Sequence, residues 1–188
     1  AESRIRRGSR RKQEKKRTEV EGIREFLAQG EIAAEVADKG KLFDDTVLLV
    51  SLPTAEEFPE DHELTEEELH LAVGYLVELD GEEERLSHYL MFYSQIEADV
   101  SELNRAEILS MLNELNRRVR LGCFFLGPVD GQDVEGIQYR LMVSGMPAEP
   151  FDAGLVADAI LEMGTGYDIA LGALRKANDE MKSRRENG

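Results

Sequence analysis

The sequence predicts an α+β protein in which an antiparallel sheet carries helices packed on one of its faces. Three observations lead to this fold class. Helical periodicity alternates with the two-residue periodicity of strands along the 188 residues. Asp-Gly pairs at 80–81 and 130–131 join strand patterns as hairpins, which make antiparallel sheets. A hydrophobic content of 41% suffices for one core, so we expect one domain over residues 18–188.

The first helix of that domain is expected to begin at Thr18, a capping residue with Glu21 three positions later, and to end at Gly30. Its apolar face comprises Val20, Ile23, Phe26 and Leu27. Residues 31–37 fit a strand and a helix equally well. Three or four strands are therefore expected before the second helix.

The first hairpin follows a continuous apolar strand at 46–52 and an acidic loop at 53–68. Residues 69–79 have apolar side chains at every odd position, which predicts a strand rather than a helix. The return strand is residues 86–96. One of its faces carries Leu90, Phe92, Ser94 and Ile96, and the other carries Met91 and Tyr93.

A second helix, capped by Ser101 or Asn104, ends at Asn116 and leads almost directly into the second hairpin. Alternation places Val119, Leu121, Cys123 and Phe125 together on one face of its first strand. The return strand directs Ile137, Tyr139, Leu141 and Val143 to one face. A terminal helix follows, and the segment Gly164-Thr165-Gly166 is expected to break or kink it before a last helix from Tyr167 to about Met181.

Charge divides the chain into a basic N-terminal arm, residues 1–17, and an acidic body. The arm holds nine Lys/Arg and two Glu, a net charge of +7. The rest holds 14 Lys/Arg and 37 Asp/Glu, a net charge of −23. The body repels phosphates, so nucleic acid or another polyanion could bind only through the arm. The candidate polyanion-binding residues are Arg4, Arg6, Arg7, Arg10, Arg11, Lys12, Lys15, Lys16 and Arg17. A solvated tail, or contact between the arm and the acidic body, explains the same charges.

Residues able to carry catalytic or metal chemistry are few and lack the required spacing. His70 and His88 lie on hairpin strands and could face each other, but neither they nor His62 form a known metal motif. Cys123 lies in a run typical of core, where thiols are inert. The Gly164–Gly166 segment follows a helix, unlike a phosphate-binding loop. We therefore expect no enzyme, no cofactor and no metal site.

Several stretches of the chain carry a resemblance to a known family. They are the strand TVLLVSLP, the run YLMFYSQI, the passage ILSMLNELNRRVRLGCFFL, the hairpin around the second Asp-Gly pair and the terminal helix pair. Together they resemble the bacterial YbjN-like family of the type III secretion chaperone-like superfamily, over roughly residues 18–182. The helix end LNELN, followed by a strand that opens a hairpin, is the most telling element.

The resemblance implies an α-β-β-β-α-β-β-α domain without enzymatic activity. Secretion chaperones of this shape form homodimers and hold extended client segments on sheet and helix surfaces. YbjN-like proteins are described as regulatory or stress-linked. The basic arm and the acidic loop at 53–68 depart from the family's pattern and support no particular partner.

These observations predict a cytoplasmic protein-binding module, chaperone-like or regulatory, that engages a protein partner or client segment. No stretch approaches the roughly 20 apolar residues of a membrane span, so no membrane association is expected. A single cysteine fits a reducing compartment. Met142 and Met146 are candidate contacts on an exposed apolar strip, although core packing is the better interpretation for Met142. Arm-mediated polyanion binding is the alternative function.

Overall fold

The computed structural model describes residues 2–40, 43–55, 70–79, 86–129, 133–147 and 149–187, with side chains from Gln13 onward. These residues form α1 (Glu2–Gln29), β1 (Ala34–Ala37), β2 (Val47–Ser51), β3 (Leu71–Leu76), β4 (His88–Gln95), α2 (Arg105–Asn116), β5 (Cys123–Pro128), β6 (Glu135–Gly145) and α3 (Ala153–Glu186). The order confirms the α+β class. The ambiguous residues 31–37 contain a strand, so four strands precede α2.

The described strands form one six-stranded sheet with the order β1-β2-β3-β4-β6-β5. Every neighbouring pair is antiparallel. Both predicted strand pairs are confirmed: Val73 is paired with Tyr93, and Phe124 with Tyr139. The two Asp-Gly turns and Leu69 lie outside the described residues. The helix α2 carries the chain from β4 to the far edge, and β6 then returns beside β4.

All three helices cover the same face of the sheet and enclose the core. Helix α1 packs on β1 and β2, α3 on β6, and α2 on β5. The alternation of β4 and β6 is confirmed, since Leu90, Phe92, Tyr139 and Leu141 are buried beneath the helices. Helix α3 contributes the largest share of the helical core: Val156, Ala159, Ile160, Met163, Tyr167, Ala170, Leu171 and Leu174.

Two predicted helix boundaries are wrong. Helix α1 does not begin at Thr18 but continues through it, and the Thr18 hydroxyl donates to the carbonyl of Glu14 at 2.9 Å, as threonines do inside helices. Helix α3 runs unbroken for 34 residues through Gly164 and Gly166. These glycines allow close packing instead of ending the helix, because a Cβ at Gly166 would lie 2.6 Å from the Tyr139 hydroxyl oxygen.

The short passage from α2 to β5 is held by the last residue of the helix. The Asn116 side chain accepts from the backbone N–H of Phe124 at 2.7 Å and donates to the Phe124 carbonyl at 3.0 Å. At its other end, α2 begins with a capping box between Asn104 and Glu107. This confirms Asn104, one of the two residues predicted to cap the helix. The two Asn116–Phe124 hydrogen bonds join the end of the helix directly to β5 across the short connection.

The interpretation of Cys123 as a core residue is wrong. Phe124 is buried at 3% exposure, whereas Cys123 and Phe125 are half-buried on the opposite face. The strand begins only at Cys123, and the preceding Gly122 has φ of +78°, a left-handed conformation that favours glycine. This turn interrupts the alternation that began at Val119 and reverses which residues face the helices.

Candidate functional site

The face of the sheet opposite the helices bears a groove with an aromatic and apolar lining. The groove has a volume of about 830 Å³, and its floor includes Val73, Tyr75, Tyr93, Phe125, Gln138 and Arg140. We call this surface the open-face groove. Strand pairing explains its composition, because Val73, Tyr93, Arg140 and Cys123 are cross-strand neighbours in one row and therefore project to the same side.

Three aromatic rings define the floor of the open-face groove. The rings of Tyr75 and Tyr93 are parallel within 3°, with centroids 6.0 Å apart. Phe125 meets Tyr93 edge to face, with centroids 6.2 Å apart and an interplanar angle of 78°. Both arrangements are favourable for aromatic pairs. The rings thus support one another and present a firm apolar surface.

The hydroxyl group of Tyr75 stays protonated over the physiological range. Burial, together with the neighbouring Tyr93, raises the pKa of Tyr75 to about 12. The hydroxyl donates to the sulfur of Met91 at 3.6 Å. A protonated phenol in this position can accept a hydrogen bond from a ligand, but it is a poor nucleophile.

Arg140 is an exposed cation within this aromatic floor. Its guanidinium carbon lies 5.6 Å from the centroid of the Phe125 ring, within the range of a cation–π contact. Its Nη2 atom lies 3.7 Å from the sulfur of Cys123. Hydrogen bonding to Tyr93, and then to Cys123, holds the pKa of Arg140 above its ordinary value. Among the described residues, no carboxylate forms an ion pair with Arg140, although the chain has 39 acidic residues.

Carboxylates occupy both ends of the groove. Asp44 and Asp45 line the end next to Tyr75, and Glu97 lines the end beyond Gln95. Asp45 is paired with Lys16: burial alone would raise the pKa of Asp45, but the hydrogen bonds from Lys16 and from the Thr46 N–H hold it below its ordinary value. Asp44 and Glu97 form no ion pair within the described part of the chain and carry negative charge at the rim.

The edge of the sheet nearest this groove is partly closed. The Asn116 amide occupies the outward-facing N–H and carbonyl of Phe124 on β5, the positions that an added strand would pair with. The opposite edge strand, β1, has only four residues and contacts α1. Among the described residues, the open face is therefore a broader accessible surface than either edge of the sheet.

The residues considered for metal or catalytic chemistry are separated by the fold. Where side chains are described, no group of three or more His, Cys, Asp or Glu is arranged to hold a metal ion. The prediction that His70 and His88 could face each other is wrong, because strand register places them at opposite ends of the β3–β4 pair. His70 stacks near Tyr167, with centroids 4.6 Å apart, and His88 on Phe151 at 4.1 Å. His62 lies outside the described residues.

Of the nine arm residues predicted to bind polyanions, the structure describes the side chains of three, and two of these pair with carboxylates of the body. Lys16 is buried between α1 and the sheet and pairs with Asp45 and Glu78. Burial alone would lower the pKa of Lys16, but its hydrogen bonds to Asp45 and Glu78 raise it above its ordinary value. Arg17 pairs with Asp38, and Lys15 is exposed. The side chains of Arg4, Arg6, Arg7, Arg10, Arg11 and Lys12 lie outside the described set, although their backbone is helical.

The predicted methionine strip is confirmed in its exposure. Met142 is 54% exposed and Met146 is 63% exposed, so the preferred assignment of Met142 to the core is wrong. Met142 is paired with Met91 on β4, which in turn is paired with Tyr75, so it belongs to the open face. The strip therefore adjoins the open-face groove.

Sequence reasoning missed Tyr75, Phe125 and Arg140 as members of a site. A signal was present: the central strands carry apolar residues on both faces, with Val73 and Tyr75 on one strand and Met91 and Tyr93 on the next. A sheet covered by helices on one side needs an apolar pattern on that side alone. The surplus apolar face is what makes the open face a candidate site.

These features define an α+β protein with an open-faced antiparallel sheet. The chain matches no family model, and no curated protein matches it. The resemblance to YbjN-like proteins therefore stays a prediction. Across the described residues, no helix combines the length and apolar character needed to cross a membrane.

Proposed function

We propose that this protein is a non-enzymatic binding module that holds an extended segment of a partner protein in the open-face groove. The segment presents apolar side chains to the aromatic floor and carries Lys or Arg residues at its flanks. Cation–π contact with the tyrosine rings and the acidic rim both favour such flanking residues.

The observation that carries this proposal is the aromatic floor on the uncovered side of the sheet. Tyr75, Tyr93 and Phe125 together place three half-buried rings where no described helix covers them. Aromatic residues are enriched at the centres of protein interfaces, and their few rotatable bonds keep the entropic cost of ordering low. The two tyrosine hydroxyls and the Gln138 amide add hydrogen-bonding groups for a segment's backbone.

Charge indicates which kind of partner fits. The chain has a net charge of −16, and Asp44 and Glu97 stand at the two ends of the groove. A second copy of the same chain has the same net charge of −16, and the repulsion between two such chains opposes pairing through this face. A partner segment with basic flanks is attracted by the same field, and that attraction accelerates its association.

The observed arm contacts weaken the alternative of polyanion binding. Lys16 already pairs with Asp45 and Glu78, and Arg17 pairs with Asp38. These two side chains are therefore not free to bind phosphates. We place the binding activity in the cytoplasm, where the half-buried thiol of Cys123 would stay reduced. A chaperone-like or regulatory role of the YbjN kind is consistent with holding extended segments, and belongs to the same proposal.

The test is selection of binding peptides from a random twelve-residue display library on the immobilised full chain. Affinities of the selected peptides are then measured by fluorescence anisotropy for wild type, Tyr93→Ala and Phe125→Ala. Leu155→Ala is the matched control, because Leu155 is 53% exposed on α3, in the helical layer on the other side of the sheet. Circular dichroism confirms that each variant is folded.

We expect each groove substitution to weaken binding by about tenfold or more, and Leu155→Ala to leave it within twofold, since central interface aromatics dominate binding energy. Selection of no peptide would contradict the proposal, as would peptides that bind Phe125→Ala as well as wild type. Binding of nucleic acid that is lost when residues 1–17 are removed would instead favour the arm.

A further inference from the structure

We propose that Arg140 recognises an acidic side chain, Asp or Glu, near the middle of the bound segment. This inference rests on the proposed function, since it concerns a segment that lies in the open-face groove. Arg140 is thus a positively charged specificity determinant in a groove whose two ends carry carboxylates.

Arg140 lies in the central row of the groove rather than at its margin. Strand pairing sets it beside Tyr93 and Cys123, one row from the Gln138–Phe125 pair and one row from Met142. The acidic residues Asp44 and Glu97 lie at the two ends of the groove, beyond those rows. Successive rows on one face of a strand are separated by about 7 Å, so neither rim carboxylate is a neighbour of the guanidinium.

The groups around Arg140 orient it without neutralising it. Its guanidinium is close to the Phe125 ring, the Cys123 sulfur and the Tyr93 hydroxyl. An aromatic face, a thiol and a phenol are weak partners for a guanidinium, which has five N–H donors in a planar fork. Some N–H donors of the guanidinium therefore have no acceptor among the described residues, and the Phe125 ring beneath it holds the guanidinium in place.

A segment that covers this face must compensate the charge of Arg140. Docking removes water from the guanidinium, and a desolvated charge without a partner is strongly unfavourable. A backbone carbonyl would satisfy one donor, whereas a carboxylate accepts two parallel hydrogen bonds and cancels the charge. Segments with Asp or Glu at this point therefore bind more tightly than segments with Asn or Gln there.

The acidic character of the whole chain does not oppose this recognition. Charges on the protein surface are screened over about 8–10 Å in physiological salt, while a contact pair inside a groove is screened much less. The resulting preference is a segment with a central acid, apolar neighbours and basic flanks. A purely basic or a purely apolar segment offers Arg140 a backbone carbonyl at most and leaves its charge uncompensated.

The experiment repeats the library selection in parallel on wild type and on Arg140→Gln. Arg118→Gln is the matched control, because Arg118 is exposed at the end of α2. For peptides selected by wild type, the conserved acid is replaced by its amide, and affinity for all three proteins is measured. Arg140→Lys, which keeps the charge but lacks the planar fork, is included as a second variant.

We expect acidic residues to be enriched by wild type and by Arg118→Gln but not by Arg140→Gln. Replacing the peptide's acid by its amide should weaken binding to wild type by about tenfold and to Arg140→Gln by less than threefold, as a direct charge contact requires. For Arg140→Lys, the loss of affinity on replacing the acid by its amide should lie between the losses for wild type and for Arg140→Gln.

Peptides that depend on Phe125 but show no acidic preference would overturn this inference and leave the proposed function standing. An acidic preference that survives Arg140→Gln unchanged would overturn it in the same way. Failure to select any peptide that depends on Phe125 would overturn both proposals.

Discussion

At the scale of single residues, Lys16 shows that a lysine in a basic segment can already be engaged in ion pairs within the same chain. Its neighbours Lys15 and Arg17 have the same charge, but only Lys16 faces the sheet, with its side chain 7% exposed. Two carboxylates, Asp45 just before β2 and Glu78 just after β3, meet it there. The ion pairs of Lys16 therefore attach the N-terminal half of α1 to the acidic body, residues 18–188.

Replacing Lys16 by Ala should destabilise the fold by about 2 kcal/mol, because Asp45 would lose the partner that compensates its partial burial. Lys15→Ala removes the same side chain one position earlier, where it is exposed, and should change stability by less than about 0.5 kcal/mol. Urea unfolding followed by circular dichroism gives both free energies. Equal values for the two variants would show that the buried ion pair contributes nothing.

At the scale of elements, α3 shows glycines that serve packing rather than helix termination. Gly164 lies against the carbonyl of Pro53, and Gly166 lies against the buried Tyr139. Both contacts bring the helix backbone close to other parts of the chain, which a side chain would prevent. Gly172, on the same helix, has no neighbouring atom within 4 Å of an added Cβ.

The three glycines allow a test within one helix. Gly166→Ala should destabilise by about 1–3 kcal/mol because the new methyl overlaps Tyr139, and Gly164→Ala should behave alike. Gly172→Ala should stabilise by about 0.5–1 kcal/mol through the better helix propensity of alanine. Thermal unfolding of the three variants measures the changes in stability. Stabilisation at all three positions would mean that the glycines do not pack as described.

At the scale of the whole molecule, α1 joins the basic arm to the acidic body in one continuous helix. The charge boundary at residue 17 falls inside that helix, between Lys16, which contacts the sheet, and Val20, which is in the core. The turn of helix that precedes Thr18 also contributes Gln13, whose amide lies 3.2 Å from the Thr46 hydroxyl and 3.3 Å from Asp45.

Two N-terminal truncations locate where the folded unit begins. A chain that starts at Thr18 should be less stable than one that starts at Gln13 by about 3 kcal/mol, because it loses the contacts of Lys16 and Gln13 together. Denaturant unfolding of both chains measures the difference. Identical stabilities would place the boundary of the folded unit at Thr18, as the charge pattern alone predicts.

Much of the fold could be predicted because its determinants are local. The two-residue alternation in 137–144 and 86–96 grouped the residues of β6 and β4 correctly by face, and the end of α2 at Asn116 followed from helical periodicity. The candidate site could be predicted only in part. Met142 and Met146 were recognised as possible contacts, whereas the aromatic floor depends on pairing among four strands.

The sequence by itself determined the order of the elements from β2 to β6, the two hairpins and the acidic character of the body, since these depend on residues within a few positions of one another. The tertiary structure decided the continuity of α1 and α3, the inward face of β5 and the position of Arg140 in the groove. Each of these depends on contacts between distant residues, such as Gly166 with Tyr139 or Lys16 with Asp45. Local periodicity contains no information about which distant residue will fill the space beside a given side chain.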